Sequence, residues 1–165
     1  DLHRLIRRQR QMCIRDSLGI HDVDVMNYIM DEPPESVYAR AGAHNHCFED
    51  YANVVLGYSG MRSGFVETNW LTPKRVRTLT ITGSEGIIDV EYTTQELRVE
   101  KNDHIYQPLN WYREPLYLEL SDFTSAVLEK RKPSVSGVEG VEALRVCEAA
   151  LRSADTGQVV FLEDM

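Results

Sequence analysis

The sequence predicts an α+β protein in which an open, mainly antiparallel sheet of about six strands carries helices on one face. Apolar residues recur every three to four positions near the beginning of the chain and again in its final part, which is typical of helices packed on a core. Between these stretches the apolar period falls to two, and Gly-containing turns separate the runs, which is typical of hairpin-linked strands. A chain of 165 residues is long enough to bury one substantial core.

The first predicted helix spans residues 18–30, and six strands follow it. The helix has apolar residues at helical spacing from Ile20 to Met30, and the two prolines at 33–34 stop it, because proline cannot continue the hydrogen-bond ladder. Residues 59–64 and 83–86 are predicted turns, and residues 102–113 are a predicted loop. The predicted strands span residues 36–43, 51–58, 65–71, 76–82, 87–92 and 96–101.

Two helices are predicted after the strands, both on the covered face of the sheet. The first spans residues 114–131 and has Pro115 in its first turn, and the second spans residues 138–154 and stops at Gly157. Residues 159–162 form a predicted closing strand. The predicted core-facing residues are Leu116, Leu120, Phe123 and Val127 in the first helix and Val141, Leu144, Cys147 and Leu151 in the second.

Bulk composition narrows the possible functions. The net charge of −8 argues against a general nucleic-acid binder, because phosphate contact requires basic surface. No apolar run approaches the ~20 residues needed to cross a membrane, so we expect no membrane partner. Cys13, Cys47 and Cys147 are too few and too scattered for a disulfide framework, which favours a reducing, cytoplasmic location.

The first seventeen residues differ from the rest. Residues 1–16 carry five arginines against two aspartates, a local charge of +3 in an otherwise acidic chain. Such a segment could be a basic arm for nucleic acid or a membrane surface, a disordered tail, or a tract that is not native. Residues 11–17 (QMCIRDS) resemble a translated sequencing-adapter tract, which favours the third interpretation. We therefore predict that the folded domain spans residues 18–165.

His21, near the start of the first predicted helix, is the candidate catalytic residue. Histidine titrates near neutrality, so it can accept a proton while a hydroxyl is oxidised to a carbonyl. Asp22 and Asp24 could polarise the imidazole, although close neighbours on a helix do not face each other. A capping or core-edge histidine would give the same local pattern, and the segment alone leaves both interpretations open.

A second candidate site follows the third predicted strand. Trp70 precedes Lys74, Arg75 and Arg77, and cationic side chains beside an aromatic ring suit a phosphate-bearing substrate. The alternative is that these charges are solvated and protect a sheet edge. The loop 44–50 contains histidines, a cysteine and acidic residues, but a zinc site needs three or four convergent ligands and no second cluster supports one. We therefore predict no metal site, and a polar loop beside the substrate.

Eight segments in a fixed order connect this chain to a known family. Together they resemble the C-terminal domain of the Gfo/Idh/MocA oxidoreductases and, within that family, the members that oxidise the 3-hydroxyl of UDP-N-acetylglucosamine. The resemblance covers residues 18 to about 160. The segments are 18–26 (LGIHDVDVM), 49–56 (EDYANVVL), 69–77 (NWLTPKRVR), 81–86 (ITGSEG), 89–92 (DVEY), 95–97 (QEL), 114–116 (EPL) and 135–144 (VSGVEGVEAL).

The resemblance implies a substrate-binding and oligomerisation domain related to the C-terminal domain of glyceraldehyde-3-phosphate dehydrogenase. It implies that NAD or NADP binds mainly to a separate Rossmann domain, whose Gly-rich phosphate loop has no counterpart here, so no cofactor-binding residue is predicted. It also implies that a lysine of that domain polarises the substrate oxygen. His21 matches the family's catalytic histidine. The family usually has an aspartate four residues earlier, where this chain has Ser17, so the site is incomplete as written.

The sequence therefore predicts the C-terminal portion of an NAD(P)-dependent dehydrogenase, inactive alone, that oxidises a hydroxyl of a sugar or nucleotide sugar. Trp70 and the three basic residues after it would bind the substrate. Apolar residues on both faces of the strands, such as Val54 and Val55, also predict a homo-oligomer formed through the outer sheet face, as the family resemblance implies. Residues 1–17 or the loop 102–113 could instead cover that face. The alternative function is a non-catalytic sheet domain that acts in assembly or sugar binding.

Overall fold

The computed structural model describes residues 19–45, 49–73 and 76–165, so the predictions made for residues 1–17 lie outside the described residues. The chain divides into two compact units, one of residues 1–73 and 135–165 and the other of residues 74–134. In chain order the described helices and strands are α1 (Gly19–Met30), β1 (Ser36–Gly42), β2 (Tyr51–Gly57), β3 (Ser63–Asn69), β4 (Thr78–Gly83), β5 (Gly86–Glu91), β6 (Glu96–Lys101), β7 (His104–Tyr106), α2 (Pro115–Glu129), α3 (Gly137–Thr156) and β8 (Val160–Phe161).

The first unit contains an antiparallel sheet in the order β3-β2-β1-β8. Its register aligns Ala39, Val54 and Val66 on one face, because side chains of a strand point alternately to its two sides. Helices α1 and α3 pack against this face, as the sequence predicts. The buried core consists of Val23, Val37, Ala39, Ala52, Val54, Leu56, Tyr58, Val66, Ala143, Val146, Cys147, Ala149, Val160 and Leu162.

A buried serine of α3 completes the hydrogen bonding of β1. Strand β8 has two residues, so its pairing with β1 reaches only Val37. The N–H of Ala39 instead donates to Ser153 Oγ at 2.9 Å, and Ser153 Oγ donates to the carbonyl oxygen of Gln158 at 2.5 Å. Ser153 therefore satisfies a backbone donor that the short edge strand does not reach.

Helix α3 begins and ends where its sequence indicates. The backbone N–H of Ser136 donates to the Glu139 carboxylate at 2.7 Å as part of a capping box. Gly157, with a φ of 70°, ends the helix as predicted, because glycine adopts this left-handed conformation without strain. Cys147 is buried as predicted, and Leu151 is half-buried.

The rest of the predicted core stripe of α3 is wrong. Val141 is 59% exposed and Leu144 is 40% exposed, whereas Ala143 and Val146 are buried. Alanine-sized side chains let the helix axis approach the strands more closely than a face of valine and leucine would. The face that is packed is therefore the one with the smaller residues, and periodicity alone does not distinguish it from the neighbouring apolar stripe.

The second unit contains an antiparallel meander in the order β4-β5-β6-β7. One face of this sheet is largely polar, with Thr80, Asp89 and Arg98 aligned across three strands. Thr80 Oγ1 donates to Asp89 Oδ1 at 2.7 Å within that row. The apolar face consists of Leu79, Ile81, Ile88, Val90, Leu97 and Val99.

Strand β7 lies where the sequence predicts a loop. Asn102 and Asp103 have φ values of 50° and 62°, and a two-residue type I′ turn requires positive φ at both central positions. Lys101 therefore pairs with His104, and the chain returns along β6 as far as Tyr106. The prediction of a loop over residues 102–113 is wrong for these residues, because three residues are too few to show a period of two.

Helix α2 has Pro115 in its first turn, as predicted, and its C-cap residue is Lys130, which has a φ of 55°. It buries Ala126 in place of its predicted core stripe. The predicted core stripe of α2 is therefore wrong. Periodicity shows that a helix face is apolar, but it does not show that another element covers that face. Each predicted core residue is more than half exposed, namely Leu116, Leu120, Phe123 and Val127.

The predicted fold class, α+β with antiparallel strands, is confirmed. The described strands number eight and form two sheets of four, where the sequence indicated about six in one sheet. None of the helices in the described ranges combines the length and the apolar character that crossing a membrane requires.

Candidate substrate-binding site

One end of the first sheet carries most of the polar residues of interest that the structure describes. Gly42, Tyr51 and Asn69 are paired in one row, so β1 ends, β2 begins and β3 ends at the same place. A side chain at position 42 would meet the Tyr51 hydroxyl at 2.6 Å, so glycine allows the ring to lie against β1. The chain after β1 and the chain after β3 therefore leave the sheet at the same end.

Asp50 holds these two segments together. Its carboxylate is 1% exposed and accepts the backbone N–H of His44, at 2.9 Å to each oxygen, and that of Asn45 at 2.6 Å. Its own N–H donates to the Gly42 carbonyl oxygen at 2.9 Å, and its carbonyl oxygen accepts the N–H of Trp70 at 2.8 Å. Sequence reasoning missed this role. The available signal was an aspartate directly before a strand and after a polar loop, where short carboxylates often bind nearby N–H groups.

Trp70 leaves β3 in a defined direction. Asn69 Oδ1 accepts the N–H groups of Leu71 and Thr72 at 3.2 and 3.1 Å, and the hydroxyl of Thr72 at 3.0 Å. The Trp70 side chain is 42% exposed, so part of its ring is accessible at the end of the sheet. The predicted substrate-binding role of Trp70 thus falls on an exposed aromatic residue with a fixed backbone.

The predicted basic cluster is only partly described. Lys74 and Arg75 lie outside the described residues. Arg77 belongs to the second unit, where its side chain is exposed and its carbonyl oxygen accepts the Tyr92 N–H at 2.9 Å. Trp70 and Arg77 thus belong to different units of the chain.

His21 is an exposed residue in the first turn of α1, and the neighbouring Gly19 and Val23 are buried. The other end of the helix is tied to the turn between β2 and β3. Tyr58 donates its hydroxyl to Asn27 Oδ1 at 3.3 Å. Burial raises the pKa of Tyr58 to about 12, with a contribution from Glu32, so the phenol stays neutral and keeps this bond.

Glu32 strengthens the same attachment. Its Oε1 accepts the N–H and the hydroxyl of Ser59 at 3.0 and 2.8 Å, and it forms an ion pair with Arg62 at 2.6 Å. Arg62 also donates to the carbonyl oxygen of Met30 at 3.2 Å. The hydroxyl hydrogen bond from Ser59, aided by Arg62, lowers the pKa of Glu32. The helix that carries His21 is therefore held by a network at its C-terminal end.

The described residues do not form a metal cluster, and the glycines at 83 and 86 do not form a phosphate cradle. Groups of three or more histidine, cysteine, aspartate or glutamate side chains placed to hold a metal do not occur in the described ranges. Two members of the 44–50 loop that could bind metal, His46 and Cys47, lie outside those ranges. Gly83 and Gly86 flank the hairpin turn between β4 and β5, which puts no helix N-terminus at a pyrophosphate.

Solved structures that share this fold include oxidoreductases. The chain matches one from Agrobacterium radiobacter, in complex with NAD+, L-tartaric acid and magnesium, with a TM-score of 0.75 and 21% identity over 91% of this chain and 49% of that one. It matches UDP-N-acetylglucosamine 3-dehydrogenase from Acidithiobacillus ferrooxidans with a TM-score of 0.84 and 18% identity, over 90% of this chain and 49% of that one. At these identities the likeness shows the fold.

The sequence comparisons show the family. The model of the GFO/IDH/MocA C-terminal domain matches residues 3–89, and this chain belongs to the Gfo/Idh/MocA family of oxidoreductases. The chain is also 30% identical over 170 residues to myo-inositol 2-dehydrogenase of Thermotoga maritima, covering 90% of this chain and 48% of that protein. It thus spans about half the length of the relatives it matches.

Proposed function

We propose that this chain is the substrate-binding portion of an NAD(P)-dependent dehydrogenase that oxidises a hydroxyl of a sugar or nucleotide sugar. The observation that carries the proposal is the match to one half of a dehydrogenase of the cyclic polyol myo-inositol. The likeness in fold to UDP-N-acetylglucosamine 3-dehydrogenase supports a nucleotide sugar, and the 3-hydroxyl of UDP-N-acetylglucosamine is our preferred substrate group.

In this proposal His21 accepts the proton of the hydroxyl that is oxidised. The imidazole is exposed on a helix whose other end is anchored, so it is accessible and attached to a fixed element. A nicotinamide cofactor accepts the hydride in such reactions. We assign its binding mainly to the half of the enzyme that this chain does not span, because Gly83 and Gly86 flank a strand–strand turn and not a helix N-terminus.

Trp70 and the basic segment after it are proposed to bind the substrate. The ring offers an apolar surface to a sugar, and Lys74, Arg75 and Arg77 offer charge to a diphosphate. The support is the accessible Trp70 ring at the end of β3 and the positions of the three basic residues directly after it in the sequence.

The complete enzyme is further proposed to be a cytoplasmic homo-oligomer. The face of the first sheet opposite the helices carries Tyr38, Val55 and Phe65 in one row, and Phe65 is 62% exposed. Such a row supports pairing through this face. The few and scattered cysteines of the sequence favour a reducing compartment.

A fusion protein tests the proposal. Residues 18–165, preceded by aspartate at position 17, would be joined to the half of the Thermotoga relative that this chain does not match. Reduction of NAD and NADP would be followed with UDP-N-acetylglucosamine, N-acetylglucosamine and myo-inositol. We expect substrate-dependent reduction, fastest with the nucleotide sugar. A folded fusion protein that oxidises none of the three would contradict the proposed function.

A further inference from the structure

Asp50 connects two segments that the proposed site uses, and sequence patterns give it no catalytic role. We propose that Asp50 is a positioning residue for substrate binding, which holds His44 and Asn45 after β1 and Trp70 after β3 in one arrangement. His44, Asn45 and Trp70 then contact the same sugar ring. This inference rests on the proposed function.

The geometry at Asp50 is that of a rigid anchor. Two consecutive backbone N–H groups, those of His44 and Asn45, donate to one carboxylate that is 1% exposed. Burial of a carboxylate is unfavourable unless it is well hydrogen-bonded, so His44 and Asn45 are held in the conformation that provides these donors. The N–H of Trp70 donates to the backbone carbonyl oxygen of Asp50, which links the segment after β3 to His44 and Asn45.

An asparagine at position 50 would not reproduce this arrangement. It has one acceptor oxygen, and its amide nitrogen would carry N–H donors toward N–H donors of the loop. The charge that strengthens all these bonds would also be lost. Asp50→Asn therefore removes the anchor at nearly constant side-chain volume.

The side chains held by Asp50 suit a hydroxyl-rich ring. His44 and Asn45 are exposed, and both offer hydrogen-bond donors and acceptors. Trp70 offers a partly exposed aromatic ring, and its backbone N–H is bonded to the Asp50 carbonyl oxygen. Sugar-binding sites need polar groups placed around an apolar surface, and groups fixed before binding lose less entropy when the ligand arrives. The anchor should thus favour binding of substrate and transition state alike.

The kinetic test uses the fusion protein described above. Asp50→Asn is expected to raise KM for the sugar substrate by about tenfold or more and to change kcat by less than about threefold, because uniform binding is lost. The KM for the nicotinamide cofactor should stay unchanged. Ser153→Ala is the matched control, since it removes another buried hydrogen bond of the same unit, to the Ala39 N–H. It is expected to lower Tm and leave KM for the sugar unchanged.

Hydrogen exchange on the 165-residue chain tests the anchor without catalysis. Asp50→Asn should accelerate exchange of the His44, Asn45 and Trp70 amides, and Ser153→Ala should not. If Asp50→Asn fails to fold, the double variant His44→Ala with Asn45→Ala keeps the backbone donors and should raise KM for the sugar in the same way.

The outcomes separate the two proposals. A fusion protein without sugar oxidation contradicts the proposed function, and exchange then still decides whether Asp50 holds both segments. With activity present, an unchanged KM in Asp50→Asn or in the double variant overturns the positioning role. An equal rise of KM in Ser153→Ala, or exchange that is accelerated uniformly along the chain, also overturns it.

Discussion

His21 is the residue on which the proposed chemistry depends most. It is exposed at the start of α1, while Val23 on the same helix is buried in the core. Because His21 lies on the side of α1 that faces away from the core, its side chain has no packing role in the core. Its proposed role as proton acceptor can therefore be tested by removal of the side chain with little effect on the fold.

In the fusion protein, His21→Ala is expected to lower kcat by about 10²–10⁴-fold, the usual contribution of a positioned acid–base group. The measurement is kcat as a function of pH, since the acidic limb that histidine produces should also disappear. Tyr28→Ala is the control, because Tyr28 is 85% exposed on the same helix. An alanine variant with normal turnover and an unchanged pH profile would make His21 a structural residue.

The basic residues after Trp70 give a second prediction at this scale. Lys74→Ala and Arg77→Ala should each raise KM for UDP-N-acetylglucosamine about tenfold more than KM for N-acetylglucosamine, because a charge-assisted bond to a diphosphate is lost. Steady-state kinetics with both substrates measure this ratio. Lys132→Ala, in the same unit, is the control. Equal effects on the two substrates would show that these charges do not contact a diphosphate.

At the scale of elements, helix α1 depends on a hydrogen-bonded network at its C-terminal end. Glu32 binds Ser59 and Arg62, and Arg62 binds the last carbonyl of α1 at Met30. These bonds attach the turn after α1 to the turn between β2 and β3. The ionised Glu32 carboxylate therefore contributes to holding the C-terminal end of the helix that carries His21.

The lowered pKa of Glu32 predicts the direction of a pH effect. Because the pKa in the folded protein lies below its ordinary value of 4.5, the network stabilises the fold fully above pH 4.5. The stabilisation is lost as the pH falls through the lower, folded-state pKa. The Tm of Glu32→Gln should thus fall less than that of the unchanged protein between pH 6 and pH 3. Glu148→Gln, on exposed α3 surface, is the control and should follow the unchanged protein. Parallel Tm curves for all three proteins would contradict this role.

At the scale of the whole molecule, the open face of the first sheet is the proposed interface between copies of the chain. Val55 and Phe65 are 44% and 62% exposed, and Phe161 on the edge strand is 49% exposed. The next row of the same face holds Arg40, Asn53 and Glu67, which are exposed and polar. An apolar row beside a polar one is a common composition for an interface with a defined register.

Sedimentation of a protein that starts at Leu18 is expected to show a homo-oligomer at tens of micromolar. Obligate interfaces commonly bury upwards of ~2,000 Å², so association should be tight. Phe65→Lys should produce monomers, because a buried lysine without a partner opposes association. Leu109→Lys, at a residue that is 98% exposed in the other unit, should not. If the protein without either substitution is well folded and monomeric under these conditions, the interface is ruled out.

Local signals in the sequence were sufficient for much of the architecture. Periodicity predicted α1 and α3, and Gly157 marked the end of α3, because both signals depend on residues close together in the chain. The three-residue strand β7 was missed, since its signal is the pair of positive φ values at Asn102 and Asp103. Trp70 and His21 could be proposed from residue type and family resemblance, and their roles stay predictions.

The sequence by itself determined the fold class and the family. The fold class follows from local periodicity, and the family follows from the order of short segments. Only the tertiary structure decided which apolar stripes are buried. It selected Ala143 and Val146 over Val141 and Leu144, since close packing depends on the facing strands. It also revealed Asp50, whose carboxylate bonds the loop before it while its backbone bonds Trp70 from another strand. Contacts between residues distant in the chain have no local pattern, so they appear only once the strands are paired.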